Sequence, residues 1–393
     1  MSDLSVPTLV FVGTFCMPNP LEQEGLHVFR LNPSDGALIP ISSYLVGLNV
    51  GSFAVDKKRK ILYVLDEVAS TVGFREQHGT SGGGGGRVYA FSISYRTGLL
   101  TLLHCVPSYG TQPAGIALDS SGKFLIVSHF TSQATTTVVV GSSQSGYRIE
   151  PRFDDTTTVL FPLRDDGHIE DPTDVHIHSS ESSSLPSCLH SVTASPDGNF
   201  FVECDMKKDQ LVIFSIEATS GSLKLLQTYS SCRGKGPRYC VFHPTLPIFY
   251  VNYEYQTLIE GFIYSNEGSF KSLDAFKVLP DDADDIQSAL LSDLRVHPTG
   301  GFLYTLVRGP NVISVLAVEN SSGILKLIQV EKLGGISPKG CAISPDGRFL
   351  YVALSVSNKV EIWAIGKDGM LIATDKMVDT PRPSAITMVT GSS

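Results

Sequence analysis

The chain has 393 residues, 42% of them apolar and 18% charged, with 36 glycines and 22 prolines. That composition describes a turn-rich globular protein with ample core material and excludes extended disorder. Thirty basic against 39 acidic residues leave a net charge of −9, which repels nucleic acid and anionic lipid, so neither is expected as a partner.

The N-terminal MSDLSVPTLVFVGTF carries an apolar run of strand length with no basic region before it, and reads as mature structure rather than a signal peptide. No stretch approaches the roughly twenty apolar residues that span a bilayer. The seven cysteines (Cys16, Cys105, Cys188, Cys204, Cys232, Cys240 and Cys341) form no CxxC pair, and their odd number argues against a secreted disulfide framework. A reducing, cytoplasmic location is expected.

From Val55 onward a turn followed by an apolar strand recurs: VDKKRKILYVLDE, LDSSGKFLIVSHF, SPDGNFFVECD, HPTLPIFYVNYE, HPTGGFLYTLVR and SPDGRFLYVAL. Their starts at Asp56, Asp119, Ser195, His243, His297 and Ser344 are 63, 76, 48, 54 and 47 residues apart, a noisy period near that of propeller blades. A second signature, a strand meeting a Gly-containing hairpin, occurs seven times: FRLNPSDGAL, FSISYRTGLL, VVVGSSQSGYRI, FSIEATSGSL, FIYSNEGSF, LAVENSSGIL and WAIGKDGML. Six inner and seven outer hairpins predict an all-β fold, a seven-bladed β-propeller formed by residues 1–393 as a single domain. The missing inner strands come from the two chain ends, LVFVGTF at 9–15 and SAITMV at 384–389, which close the ring and remove long free sheet edges.

Two polar stretches rich in Gly, Ser and Pro, at 76–87 and 151–188, read as loop insertions, and PDDADD at 280–285 as a further solvated loop. The GGGGG run lacks the Lys-Ser/Thr of a phosphate loop and reads as a hairpin tip. His176 and His178 have H-x-H spacing but lie in a Ser-rich segment with no third ligand in view, so no metal site is assigned.

In an antiparallel hairpin the start of the first strand and the end of the second lie at one sheet edge. Arg238 and Glu254, at the two ends of GKGPRYCVFHPTLPIFYVNYE, should therefore meet at one rim of the ring. By the same rule His190, at the start of HSVTA, and Arg308, at the end of FLYTLV, reach that rim, as do Glu67, His129 and Asp205. Two guanidiniums, an imidazole and a carboxylate converging there make a concave polar site.

At these residues the sequence resembles the lactonase family of seven-bladed propellers, which includes the propeller-type bacterial 6-phosphogluconolactonases and the fungal 3-carboxy-cis,cis-muconate lactonizing enzymes. The resemblance covers essentially the whole chain and is most specific in CLHSVTASPDG (188–198), GKGPRYCVFHP (234–244), YVNYE (250–254) and FLYTLVRG (302–309). It implies a catalytic set of His190, Arg238, Arg308 and Glu254, and no cofactor. The chain departs from the family pattern at three places. Tyr253 stands where the family has its glutamate, Arg295 follows Asp293-Leu294 where a histidine is usual, and Lys339 follows Pro338 where an arginine is usual. A one-residue bulge at Tyr253–Glu254 would restore the family's register.

The implied activity is hydrolysis of a small anionic sugar lactone, 6-phosphogluconolactone first. Arg238 and Arg308 would bind the substrate's anionic group and stabilise the oxyanion. Glu254 would position or deprotonate water, its carboxyl held low by the arginines, and His190 would polarise the lactone or protonate the leaving oxygen. A carboxymuconate-type lactonizing cycloisomerase is the second reading. A non-catalytic propeller serving as an interaction platform is the third.

Overall fold

The strand ILYVLD (Ile61–Asp66) reads as an unbroken apolar run because both of its faces are covered. Ile61, Tyr63 and Leu65 pack toward the following sheet, whereas Leu62 and Val64 pack toward the preceding one. In the computed structural model, which describes residues 7–15, 25–45, 47–68, 85–131, 135–178 and 186–391, this arrangement repeats around a ring. Among the described residues there are seven four-stranded antiparallel sheets, and seven apolar clusters fill the seven gaps between neighbouring sheets. Each fully buried Leu, Ile, Val or Phe in them contributes about 1.5–3 kcal/mol, so stability is spread around the ring.

The innermost strands, one per sheet, contact each other in sequence and close a central channel. The first blade combines Thr8–Thr14 with Pro383–Thr390, paired antiparallel with Leu9 opposite Val389 and Val12 opposite Ile386. The seven-bladed propeller and the closure by both chain ends are therefore as expected from the repeats. We number the blades in chain order from this seam.

A repeated latch locks four of the blades to the next. In blades 2, 5, 6 and 7 a buried tyrosine on the second strand donates its hydroxyl to the carbonyl of a glycine in the outer hairpin of the following blade. The pairs are Tyr63 to Gly167 (2.9 Å), Tyr250 to Gly323 (2.8 Å), Tyr304 to Gly369 (2.8 Å) and Tyr351 to Gly36 (2.7 Å). The four glycines all have φ between +73° and +84°. A side chain there would be strained, and a Cβ on Gly323 would overlap Ile248 beneath it.

The expected insertion at 151–188 is corrected. Thr157–Pro162 and Asp174–Ile177 are the two outer strands of blade 3, and Gly167 in the turn between them receives the Tyr63 latch. The true insertion is the hairpin Thr135–Ser142 with Gly146–Phe153, which forms a separate two-stranded sheet. VVVGSSQSGYRI has the better hairpin signature, yet Val139, Tyr147 and Ile149 on it are about 70% exposed, so it has no core to join. The outer strands were obscured by their polar surroundings and by the four-residue length of the second. His176 accordingly sits on a strand, with its ring 4.7 Å from that of His178. His178 hydrogen-bonds Thr158 and lies 3.5 Å from the buried Glu203. The expected loop at 76–87 lies outside the described residues up to position 84, and Arg87 opens a strand. Among the described residues no helix is long and apolar enough to cross a membrane.

The latch makes a testable demand. Tyr250→Phe leaves the buried Gly323 carbonyl without its donor and should cost about 1–3 kcal/mol. Gly323→Ala should cost more, because it adds backbone strain to overlap. Urea denaturation should show both as lower midpoints with an unchanged slope.

Candidate functional site

Each innermost strand is the edge of its sheet, because beyond it lies only the channel. An edge strand tolerates a proline at its first residue, where no ladder N–H is needed, and tolerates a bulge. All seven innermost strands carry one extra residue within their first four positions. In four of them the bulge follows a proline: Pro113-Ala114, Pro237-Arg238, Pro338-Lys339 and Pro383-Ser384. The extra residue is pushed out of the ladder into the channel mouth. A cavity of about 40 Å³ there is lined by the bulge residues Gly51, Ala114, His190, Arg238, Lys339 and Ser384, with Phe15, Glu67 and Tyr239 completing the wall.

Polar side chains hold the bulges in place. The Tyr239 N–H, next to the Arg238 bulge, donates to Asn252 Oδ1 (2.9 Å), and Asn252 Nδ2 donates to the Ser292 carbonyl of the next blade (3.0 Å). The Ser384 hydroxyl reaches the Gly13 and Val50 carbonyls.

Glu254 lies between two arginines. Its Oε2 is 2.8 Å from Arg238 Nε, and its Oε1 accepts from Arg308 Nη2 at 2.8 Å. Its backbone is fixed by its N–H to the Gly236 carbonyl and by its carbonyl, which accepts from Leu291 N–H. The bulge expected at Tyr253–Glu254 is on the partner strand instead, at Arg238, where Pro237 opposes Tyr253 and Tyr239 opposes Asn252. Alternation therefore separates Tyr253 from Glu254. Tyr253 is buried in the core between blades 4 and 5, with its hydroxyl on Glu260 (2.6 Å), and Glu254 turns to Arg308 of blade 6.

The structure thus brings Arg238, Arg308 and Glu254 into direct contact. His190 is placed beside them, its ring edge-on to Tyr239 (5.1 Å) and Phe130 (5.7 Å). His129 and Asp205, expected at the same rim, serve the backbone instead: His129 Nδ1 bonds the Thr157 carbonyl and Asp205 accepts from Cys188 N–H. Lys339 and Glu67 join the cavity wall. Lys339 was legible only as a departure from a family pattern, although Pro338-Lys339 repeats Pro237-Arg238 two strand starts later in the ring.

The charges are unevenly compensated. Burial pushes the Glu254 carboxyl up, but the charges of Arg238 and Arg308 outweigh it and hold it below its ordinary value. Burial also drives His190 well below its ordinary value, with Arg238, Lys339 and Arg308 adding to the effect, so its imidazole is neutral at pH 7. It can donate or accept a hydrogen bond but does not rest as an imidazolium. Burial raises Glu67 to about 7 against the pull of Lys339 and Arg238, and lowers Lys339 to about 8. Arg238 Nη1, Arg308 Nε and His190 Nδ1 are buried without a hydrogen-bond partner among the described residues. Unpaired donors and an excess of positive charge in a water-sized cavity suit an anionic, oxygen-rich ligand.

Larger open grooves, of about 520 Å³ near His104 and His168 and about 400 Å³ near Tyr255 and Asp281, are lined by none of Arg238, Glu254, Arg308, His190, Glu67 or Lys339. Among the described residues no three His, Cys, Asp or Glu side chains gather as a metal site.

Comparison with known proteins places this geometry in context. A family model described as a lactonase, seven-bladed beta-propeller, matches residues 10–388. A 6-phosphogluconolactonase of Formosa agariphila is 28% identical over 360 residues, covering 90% of this chain and 91% of the relative. One of Bacillus subtilis is 24% identical, covering 96% and 97%. The structure of a Pseudomonas aeruginosa periplasmic gluconolactonase superposes with a TM-score of 0.82 at 22% identity, covering 98% of this chain and all of that one, which establishes a shared fold.

The ion triad has a measurable signature. Glu254 has a folded-state pKa below its unfolded value, so its stabilisation is present above the unfolded pKa and lost as pH falls through the folded one. Glu254→Gln should remove this term and leave two facing guanidiniums, costing about 3–5 kcal/mol at pH 7. The wild-type and variant stability curves should converge as the pH is lowered through the folded-state value of Glu254, read by chemical denaturation.

Proposed function

The chain belongs to the seven-bladed β-propeller lactonase family, and from that premise we propose that it hydrolyses a small anionic sugar lactone, with 6-phosphogluconolactone the leading substrate. The observation that carries this reading is the pair of guanidiniums sharing Glu254 at the channel mouth while keeping unpartnered donors. A negatively charged protein has concentrated positive charge at one concave point, and that point selects an anion. Relatives covering nine-tenths of the chain and bearing the name 6-phosphogluconolactonase support the choice of substrate.

The roles follow from position. Arg238 lines the cavity and is proposed to hold the oxyanion that forms when water adds to the lactone carbonyl. Arg308, ending its strand beside the mouth, is proposed to take the phosphate or carboxylate of the substrate as a planar fork. Glu254 fixes both guanidiniums, and neutral His190 donates a hydrogen bond to the lactone rather than a proton. The cavity of about 40 Å³ accommodates a water and the carbonyl it attacks, so the rest of the sugar lies outside it toward the mouth. Cys188, Cys204, Cys240 and Cys341 are buried free thiols, which suits a reducing compartment, and the cytoplasm is the proposed location.

A spectrophotometric lactone assay tests the reading. The wild type should turn over 6-phosphogluconolactone with a lower KM than the unphosphorylated lactone. Arg308→Lys should raise KM about tenfold or more, and Arg238→Lys should lower kcat by about 10²–10³. Inertness toward every sugar lactone, with turnover of a carboxymuconate, would overturn it.

A further inference from the structure

Glu254 commits both carboxylate oxygens to arginines, which leaves the reaction without a free base at that position. Glu67 occupies the equivalent position in blade 2. Each residue follows the last paired residue of its second strand, Asp66 opposite Val50 and Tyr253 opposite Pro237. Each donates its backbone N–H to the residue before the innermost strand, Asn49 or Gly236, at 2.7 Å. Blades 2 and 5 are three apart in the ring of seven, so the two glutamates approach the channel from opposite sides.

Their surroundings differ in one respect. The Glu67 carboxylate has no ion pair or hydrogen bond among the described residues and feels Lys339 and Arg238 only through space. It enters the cavity because the blade 2 bulge presents Gly51. A Cβ at that position would overlap Glu67 Oε2. Lys339 lines the same cavity, its ammonium 3.7 Å from the centre of the Phe15 ring. The water-sized cavity thus has an unengaged carboxylate and an ammonium on its wall.

We propose that Glu67 is the general base of this lactonase and that Lys339 is the general acid beside it. The proposal rests on the lactonase reading above. Glu67 removes a proton from water as the water oxygen bonds to the lactone carbonyl carbon. The carbonyl π electrons move onto oxygen beside Arg238. When the carbonyl re-forms, the ring C–O bond breaks and the ring oxygen takes a proton from the Lys339 ammonium, which recovers one from Glu67. Lactone and water become the hydroxy acid, whose carboxyl proton leaves to solvent. No redox partner is required.

The charged groups around Glu67 are Lys339 and Arg238, with His190 on the same wall and Glu254 and Arg308 behind Arg238. Between pH 5.5 and 7.5 Glu254, held below its ordinary value, stays ionised and His190, held well below its own, stays neutral. Glu67 titrates in that window, near its value of about 7. Wild-type kcat should therefore climb across it.

Steady-state kinetics of the full chain on 6-phosphogluconolactone, with spontaneous hydrolysis subtracted, test the assignment. Glu67→Gln should lower kcat at least about a hundredfold, leave KM within about threefold, and abolish the rise of kcat with pH. Gly51→Ala, which keeps the carboxyl group but displaces it, should show a similar loss with an unchanged unfolding midpoint. If the wild type is active and Glu67→Gln retains its rate and pH profile, the proposal fails and the lactonase reading stands. An inert wild type overturns both.

Discussion

One extra residue near the start of each innermost strand determines what faces the channel. In a regular strand, alternate side chains would enter the gaps between blades, where the apolar clusters lie. The bulge releases one position from that alternation, and release is inexpensive because the channel side of the strand has no ladder to disrupt. His190, Arg238 and Lys339 reach the cavity in this way, and Gly51, Ala114 and Ser384 leave the remaining positions small enough for it to exist. The tyrosine latches and the seven inter-blade cores hold the strand starts in fixed relation, so the convergent charges rest on a rigid frame.

The electrostatics follow from that frame. Two glutamates stand at equivalent strand ends and are driven in opposite directions. Glu254 between two guanidiniums is held ionised, and Glu67, half-buried without a partner among the described residues, is raised toward neutrality. Such divergence separates structural from proton-transferring roles in a single pocket. Buried ionisable groups in this number are not explained by stability, since uncompensated burial of charge is costly. Their cost is understandable if a ligand completes the network.

Much of this was legible in the sequence. Turn-strand repeats with Asp, Ser or His at fixed offsets marked the inner hairpins, and hairpin geometry alone placed Arg238 beside Glu254. The register of Glu254 was not legible, because a bulge on one strand and a bulge on its partner give similar local sequence patterns. The Pro237-Arg238 step was the available signal, and its repetition in Pro338-Lys339 would also have placed Lys339 in the site. Blade 3 was misread because VVVGSSQSGYRI imitates an outer hairpin, whereas the real strands lie in polar sequence, Thr157–Pro162 held by pairing with Phe124–His129 and Asp174–Ile177 by pairing with Thr157–Pro162. Glu67 was visible as a strand-end residue. Its lack of a partner depends on contacts between residues far apart in the chain, and no local pattern encodes that.

The central claim is that the bulge-lined mouth binds the substrate with Glu67, not Glu254, facing the attacking water. A crystal structure with a lactam analogue of 6-phosphogluconolactone, in which nitrogen replaces the ring oxygen and slows hydrolysis, tests it most directly. The account predicts the phosphate on Arg308, the ring carbonyl on Arg238 and a water between the carbonyl carbon and Glu67. An analogue seated in either outer groove, or a water held by Glu254 with Glu67 turned away, would contradict it.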